Sequence, residues 1–424
     1  MPVPADAGRV IADAVDRSAV VDTHEHIMPL EMLRDGMSFT SLLRESYLIR
    51  NVRAADGSAH GVGEPLEIPL ARDTWETVER VIAKVRLTSY YRWFMRGVAA
   101  LYDLPDERLT RDRWEPLSAA LHQRYQDPTW LRTVLDRGRI RAIIWDPYWN
   151  AGTTALPDER FFPSLRINSS LVAFHPGASD FERSNLIRDW SARYGLTVDS
   201  LADLEELIEK VLEANIRAGC RSLKSAIAYD RTLAAGPAPR AAAARIFGTP
   251  EDRISPADRK LFGDYIVRYY LDRCREHGLV VQVHTGMARL EGSSPLLMEP
   301  LLQEFPDVVF DLFHGGYPWI RESAALAHNY PNVRLNLAWL PQLSTEVAVA
   351  ALKEWLEVVP QIDRITWGSD CHTVEEAYGV LLGARHVVTR ALTELVQDGA
   401  LDLDSALAAA DSVLCAGGAR IYRV

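Results

Sequence analysis

Eight short apolar runs recur along the chain, separated by stretches with helical periodicity. They predict strands over about 20–22, 140–145, 171–174, 222–227, 280–283, 308–312, 333–336 and 365–367. Several are apolar at almost every position, as strands covered on both faces by helices are. Between them lie amphipathic segments such as 200–218, 259–277 and 346–359. Eight strands alternating with helices predict an α/β fold, a (β/α)8 TIM barrel in which residues 1–424 form one unit. An open doubly wound sheet is the alternative. It is disfavoured because no glycine-rich phosphate loop follows an early strand.

The spacing of the runs is uneven. More than 100 residues, roughly 28–138, separate the first run from the second, helical in pattern and rich in aromatics such as Trp75, Tyr90, Tyr91, Trp93 and Phe94. In a barrel this segment would leave from the active-site end of the first strand, so a helical insertion shaped as a lid or side wall is expected. For any single aromatic, packing of the insertion on the barrel is the plainer expectation. The Ala/Pro-rich stretch 234–244 reads as a loop after strand four.

Polar residues close several of the runs. The first continues Val20-Val21-Asp22-Thr23-His24-Glu25-His26. Strand side chains alternate faces, so His24 and His26 project from the same side, and two converging imidazoles are half of a transition-metal site. Three later runs continue into His284-Thr285-Gly286, Phe313-His314-Gly315-Gly316 and Gly368-Ser369-Asp370. The C-terminal ends of barrel strands meet at one mouth. His24, His26, His284, His314 and Asp370 would then gather there, a donor set suited to Zn²⁺, or to Mn²⁺ or Fe²⁺.

Each residue also has a plainer reading. A strand-end histidine often hydrogen-bonds to the scaffold, and Asp370 could cap a helix beginning near Thr373. Taken together, five such residues in one regular series favour the metal. Glu25 faces away from its neighbours and reads as a packing or supporting group. His175, in Phe174-His175-Pro176, points to the mouth as a substrate contact or as a structural hydrogen-bonder. His372 lies past the end of its strand and is not expected to be a ligand. His60, His122, His277, His328 and His386 read as solvated. Lys224, in Leu223-Lys224-Ser225-Ala226-Ile227, would be costly to bury unpaired. It could be carbamylated and bridge two metals, hold a substrate carboxylate or carbonyl oxygen, or close the barrel with a salt bridge.

A net charge of −11 argues against a nucleic-acid or anionic-membrane partner. Four cysteines, none in a CxxC pair, suit a reducing compartment. Neither a signal-peptide pattern nor an apolar run of membrane-spanning length is visible, so a cytoplasmic location is expected. A homodimer is a mild expectation.

These motifs resemble the amidohydrolase superfamily, in its amidohydrolase-2 branch. The stretch from His284-Thr285-Gly286 through His314-Gly315-Gly316-Tyr317-Pro318-Trp319 to Gly368-Ser369-Asp370-Cys371-His372 is similar to the amidohydrolase-like domain of nodulin/glutamine-synthetase fusion proteins. The insertion segment Tyr90-Tyr91-Arg92-Trp93-Phe94-Met95-Arg96 is similar, over a shorter stretch, to uronate isomerases. The resemblance implies metal-site positions at His24, His26, His284 and Asp370, with Asp370 also moving the proton. It implies either a second-metal or a substrate-orienting role for His314; one metal with His314 as orienter is preferred.

The leading expectation is hydrolysis of an amide or related C–N bond in a small molecule, with Arg92, Arg96 or Lys224 receiving an acidic substituent. His314 would then stabilise the developing oxyanion. The alternative keeps the metal and changes the reaction to non-oxidative decarboxylation or uronate-type isomerisation. A non-catalytic binding protein on a retired barrel is a third, disfavoured by the intact donor set.

Overall fold

The computed structural model describes residues 6–56 and 73–424, so His60 and the middle of the insertion lie outside the described residues. Eight strands form one parallel sheet in chain order: β1 Val20–Glu25, β2 Ile140–Trp145, β3 Phe161–Arg166, β4 Ser222–Ser225, β5 Val280–Val283, β6 Phe310–Leu312, β7 Val333–Asn336 and β8 Ile365–Thr366. Backbone bonds from Thr23 to Trp367 (3.1 Å) and from Asp370 to His24 (2.9 Å) bring the last strand to the first and close the TIM barrel. Among the described residues no helix is long and apolar enough to cross a membrane.

Seven strands fall where the apolar runs predict them, and the third does not. The run at 171–174 is the end of a short helical turn, Asn168–Leu171, and the bend after it. It is buried because Phe174 packs against Phe262 of the helix Pro256–His277. The true β3 carries Pro163 and Arg166, which interrupt its apolar pattern. Pro163 pairs with Trp145 of β2, and although it has no N–H to donate, its carbonyl still accepts from the Arg221 N–H (3.1 Å).

Between β1 and β2 the described chain is helical from Leu30 to Arg137. Most of its aromatics pack rather than line a cavity: Trp93 and Phe94 are buried, and the Trp93 indole donates to Thr345 Oγ1 at 2.9 Å. The helix Ser89–Leu101 crosses the long helix Val374–Gln397 at Gly97 and Gly379; a Cβ on Gly97 would come within 2.4 Å of the Glu375 carbonyl oxygen. At the same seam the buried Glu375 carboxylate accepts from Tyr102 (2.7 Å), Tyr125 (2.8 Å) and Trp130 (3.1 Å). Three donors on one buried acid lock the insertion to the barrel.

Candidate metal centre

His24 and His26 end β1 inside a frame of carboxylates. Asp22 accepts from the backbone N–H groups of His24 (3.1 Å) and Ser369 (3.0 Å). Glu25 accepts from those of His26 (2.8 Å) and Cys371 (2.6 Å). The Ser369 hydroxyl lies between the two carboxyls, in contact with both. Burial pushes Asp22 up to about 7, and burial followed by repulsion from Asp22 raises Glu25. Glu25 thus supports the site from behind, as its position between the histidines predicts.

The ring nitrogens have assignable roles. His26 Nδ1 lies 2.6 Å from the Asp146 backbone carbonyl, which makes Nδ1 the protonated nitrogen and leaves the Nε2 lone pair facing Asp370 Oδ1 at 3.1 Å. His24 Nε2 lies 3.7 Å from the same oxygen, and neither His24 nitrogen has a hydrogen-bond partner. Burial, then the charges of Lys224 and His26, holds His24 well below its usual pKa. Burial opposes ionisation of Asp370, but His26, His24 and His314 outweigh it and hold the carboxyl well below the usual range.

A third imidazole comes from the other side. His314 Nδ1 lies 2.9 Å from the Ala338 carbonyl and donates to it, so His314 Nε2 accepts from His284 Nδ1 at 2.9 Å. His284 Nε2 then carries a lone pair with no partner, buried beside the cavity. Gly286 lets this strand end turn: at φ 67°, a Cβ there would lie 2.0 Å from the Tyr317 carbonyl oxygen. His314, Trp339 and Asp370 are all left-handed (φ 62°, 66° and 58°), a local strain gathered at the mouth.

Buried lone pairs aimed at an ionised carboxylate, with no donor between them, fit a shared cation. His24, His26, His284 and Asp370 supply nitrogen and oxygen donors of the kinds a divalent transition metal takes. His24, His26 and Asp146 also offer ligand atoms within 4.8 Å of one another. The Asp146 carboxylate, however, is engaged by Arg166 (Nη2 to Oδ2, 2.8 Å), whose Nη1 reaches Glu182 at 3.1 Å. Asp370 is the freer carboxylate of the two.

The cavity over these groups measures about 120 Å³ and is walled by Tyr47, Tyr148, Tyr229 and Trp339. Lys224 lines it, buried, its ammonium 3.8 Å from the Phe313 ring centroid and without a hydrogen-bond partner. Burial lowers its pKa to about 7. No ion pair to Lys224 exists among the described residues, so the salt-bridge reading fails and the other two stand.

Other expected residues lie elsewhere. His175 follows a turn rather than a strand; its Nδ1 accepts from Gly177 N–H at 3.0 Å, and it does not line the cavity. Arg92 is exposed, and Arg96 pairs with Glu107 at 2.6 Å; neither reaches the cavity. They sit on a helix that packs on the barrel, and only the path of the insertion could reveal that. His314 has both ring nitrogens engaged, which leaves none for the expected oxyanion. His372 does line the cavity, with Nδ1 at the Glu45 carbonyl (3.0 Å) and Nε2 at the Tyr148 hydroxyl (3.3 Å), away from the metal donors. His122, His277, His328 and His386 are exposed.

Sequence reasoning missed Asp146, Arg166 and Arg50. Asp146 follows the apolar run 140–145 as His284 follows its own, so the same signal marks it. Arg166 was hidden by the misplaced third strand, and Arg50, from the helix Leu48–Asp56, has no local signal.

A family model described as "Amidohydrolase" matches residues 188–398. The chain is 30% identical over 176 residues to Protein fluG of Emericella nidulans; the match covers 39% of this chain and 20% of that much longer relative. Among solved structures, the uronate isomerase of Thermotoga maritima superposes over 100% of both chains with a TM-score of 0.76 at 14% identity. The glucuronate isomerase of Caulobacter crescentus covers 99% of this chain and 95% of its own (TM-score 0.74, 16% identity). A putative metal-dependent hydrolase of Lactobacillus casei covers 97% of each chain (TM-score 0.67, 18% identity). At these identities the structural neighbours share the barrel and its insertion as architecture. The family model and the relative agree on one likeness: residues 188–398 match the amidohydrolase family, on a chain folded as these barrels are.

Proposed function

We propose that the protein is a metal-dependent hydrolase that cleaves an amide or related C–N bond of a small molecule. The observation that carries this reading is the convergence of lone-pair nitrogens on His24, His26 and His284 with the ionised Asp370 at one cavity. His24, His26, His284 and Asp370 would hold one divalent cation, Zn²⁺ being favoured by three imidazoles, with Mn²⁺ or Fe²⁺ as alternatives. When bound, such a cation supplies Lewis acidity to the reacting carbonyl and acidifies water.

The chain's own groups do the rest. Asp370 Oδ1 faces His24 and His26, and Oδ2, 3.7 Å from His314 Nδ1, takes the proton of the attacking water and returns it to the leaving nitrogen. The C–N bond breaks, water's oxygen stays on the carbonyl carbon, and the amine leaves with the proton. His314 orients His284 and fixes its tautomer. Lys224, unpaired and close to neutrality in pKa, contacts the carbonyl oxygen of the substrate. The four buried thiols suit a reducing compartment, and we place the protein in the cytoplasm.

Two measurements test this. Elemental analysis of the purified chain is expected to give one metal per chain; two would make Lys224 a carbamate ligand and draw in His314. A panel of dipeptide-like and γ-glutamyl amides, uronates and aromatic carboxylates is expected to yield amide cleavage. Release of CO₂ or aldose–ketose exchange without amide cleavage would replace the hydrolase reading with a decarboxylase or an isomerase.

A further inference from the structure

We infer that Arg50, delivered by the insertion helix Leu48–Asp56, binds a carboxylate of the substrate and so restricts the enzyme to small organic acids. The inference rests on the hydrolase reading for the reaction, but not for the binding.

Three cations line the cavity: Arg50, Arg166 and Lys224. Arg166 is already paired with Asp146 at 2.8 Å, and its other arm reaches Glu182 at 3.1 Å. Lys224 stands among the metal-centre groups, against Phe313. Arg50 differs from both. Its guanidinium has no carboxylate partner among the described residues, it is solvent-accessible, and it lies among aromatic rings, with the Tyr229 hydroxyl as a hydrogen-bond partner. The Cζ atom lies 5.0 Å from the Tyr47 ring centroid, 5.7 Å from that of Trp339 and 6.0 Å from that of Tyr229. Aromatic faces fix a guanidinium's plane and leave its N–H edge free, and that edge matches a carboxylate in two parallel hydrogen bonds.

The same rings measure the substrate. Tyr229 touches Arg50 on one side and His284 on the other, its centroid 4.5 Å from that imidazole. Trp339 likewise spans Arg50 and His314, with ring centroids 5.2 Å apart in the latter pair. An anion on Arg50 therefore sits about one ring's width from the metal donors. The substrate is an acid whose carboxylate and scissile bond are separated by a few bonds, within a cavity of about 120 Å³.

Calorimetric titration of the purified full chain tests this with benzoate and glutarate, each against its neutral isostere, benzamide and glutaramide. The acids are expected to bind at least tenfold more tightly than the amides. Arg50→Met should weaken acid binding by roughly ten- to a hundredfold, as loss of a charge-assisted pair does. Arg50→Lys should fall between, since the charge remains without the fork. Arg111→Met, at an exposed pair with Glu76, should change nothing. Arg50→Met and Arg50→Lys binding the acids as the wild type does, amides binding equally well, or no acid binding at millimolar concentration would each overturn the assignment. The two readings separate cleanly. Arg50-dependent acid binding without cleavage of any amide sinks the hydrolase reading alone. Equal kcat/KM for acidic and neutral amides in wild type and Arg50→Met sinks the carboxylate site alone.

Discussion

The two sides of the mouth hold their histidines by opposite means. On the β1–β8 side, His24 and His26 are framed by ionisable groups: Asp22 and Glu25 gather backbone N–H groups and the Ser369 hydroxyl around them. On the β5–β6 side, His284 is held by a neutral relay that runs through His314 to the Ala338 carbonyl. The first side binds the barrel's ends together as it positions its ligands. The second only sets a tautomer. Damage to the first should therefore appear as lost stability, and damage to the second as lost metal affinity.

Removal of the shared carboxylate gives the largest effect. Asp370→Asn is expected to lower kcat by about 10³-fold or more, with circular dichroism unchanged. Survival of activity would show that protons move elsewhere. Next, Glu25→Ala leaves the N–H groups of His26 and Cys371 without acceptors and opens a void; urea unfolding should lose roughly 2–4 kcal/mol. Glu25→Gln should lose much less, because burial already drives this carboxyl toward its neutral form. On the opposite side, His314→Ala should weaken metal binding about 10- to 100-fold in a competition titration while changing the urea midpoint little. If His314→Ala unfolds the protein and Glu25→Ala does not, the contrast between the two sides is wrong.

The smallest effect lies on a third flank. Burial pushes Glu182 up to about 8 from an ordinary 4.5, even though Arg166 pulls the other way. A raised folded-state pKa means that its stabilisation is complete below about pH 4.5 and is lost as pH rises through about 8. Relative to wild type, Glu182→Gln should therefore gain a few degrees in Tm between pH 5 and pH 8.5. A constant difference across that range would refute the raised pKa.

Much of the barrel and the gathering of polar residues at its mouth was legible because both rest on local pattern. Strand-length apolar runs closed by His24 and His26, His284, His314 and Asp370 placed seven strands and one mouth. The third strand failed because Pro163 and Arg166 break the run, while 171–174 is apolar for packing against Phe262. Arg92 and Arg96 were read toward the mouth from a segment whose course sequence does not define, and Arg50 went unread for the same reason. His175 inherited the error in its strand.

The chain's pattern determined by itself the eightfold alternation and the residue types at the strand ends, since both follow from periodicity over a few residues. Tertiary structure alone decided which nitrogen of each histidine is free, that Asp146 is taken by Arg166, and that a helix more than 300 residues before Asp370 lends the cavity a guanidinium without a carboxylate partner among the described residues. Those outcomes depend on contacts between distant segments, and no local preference encodes them.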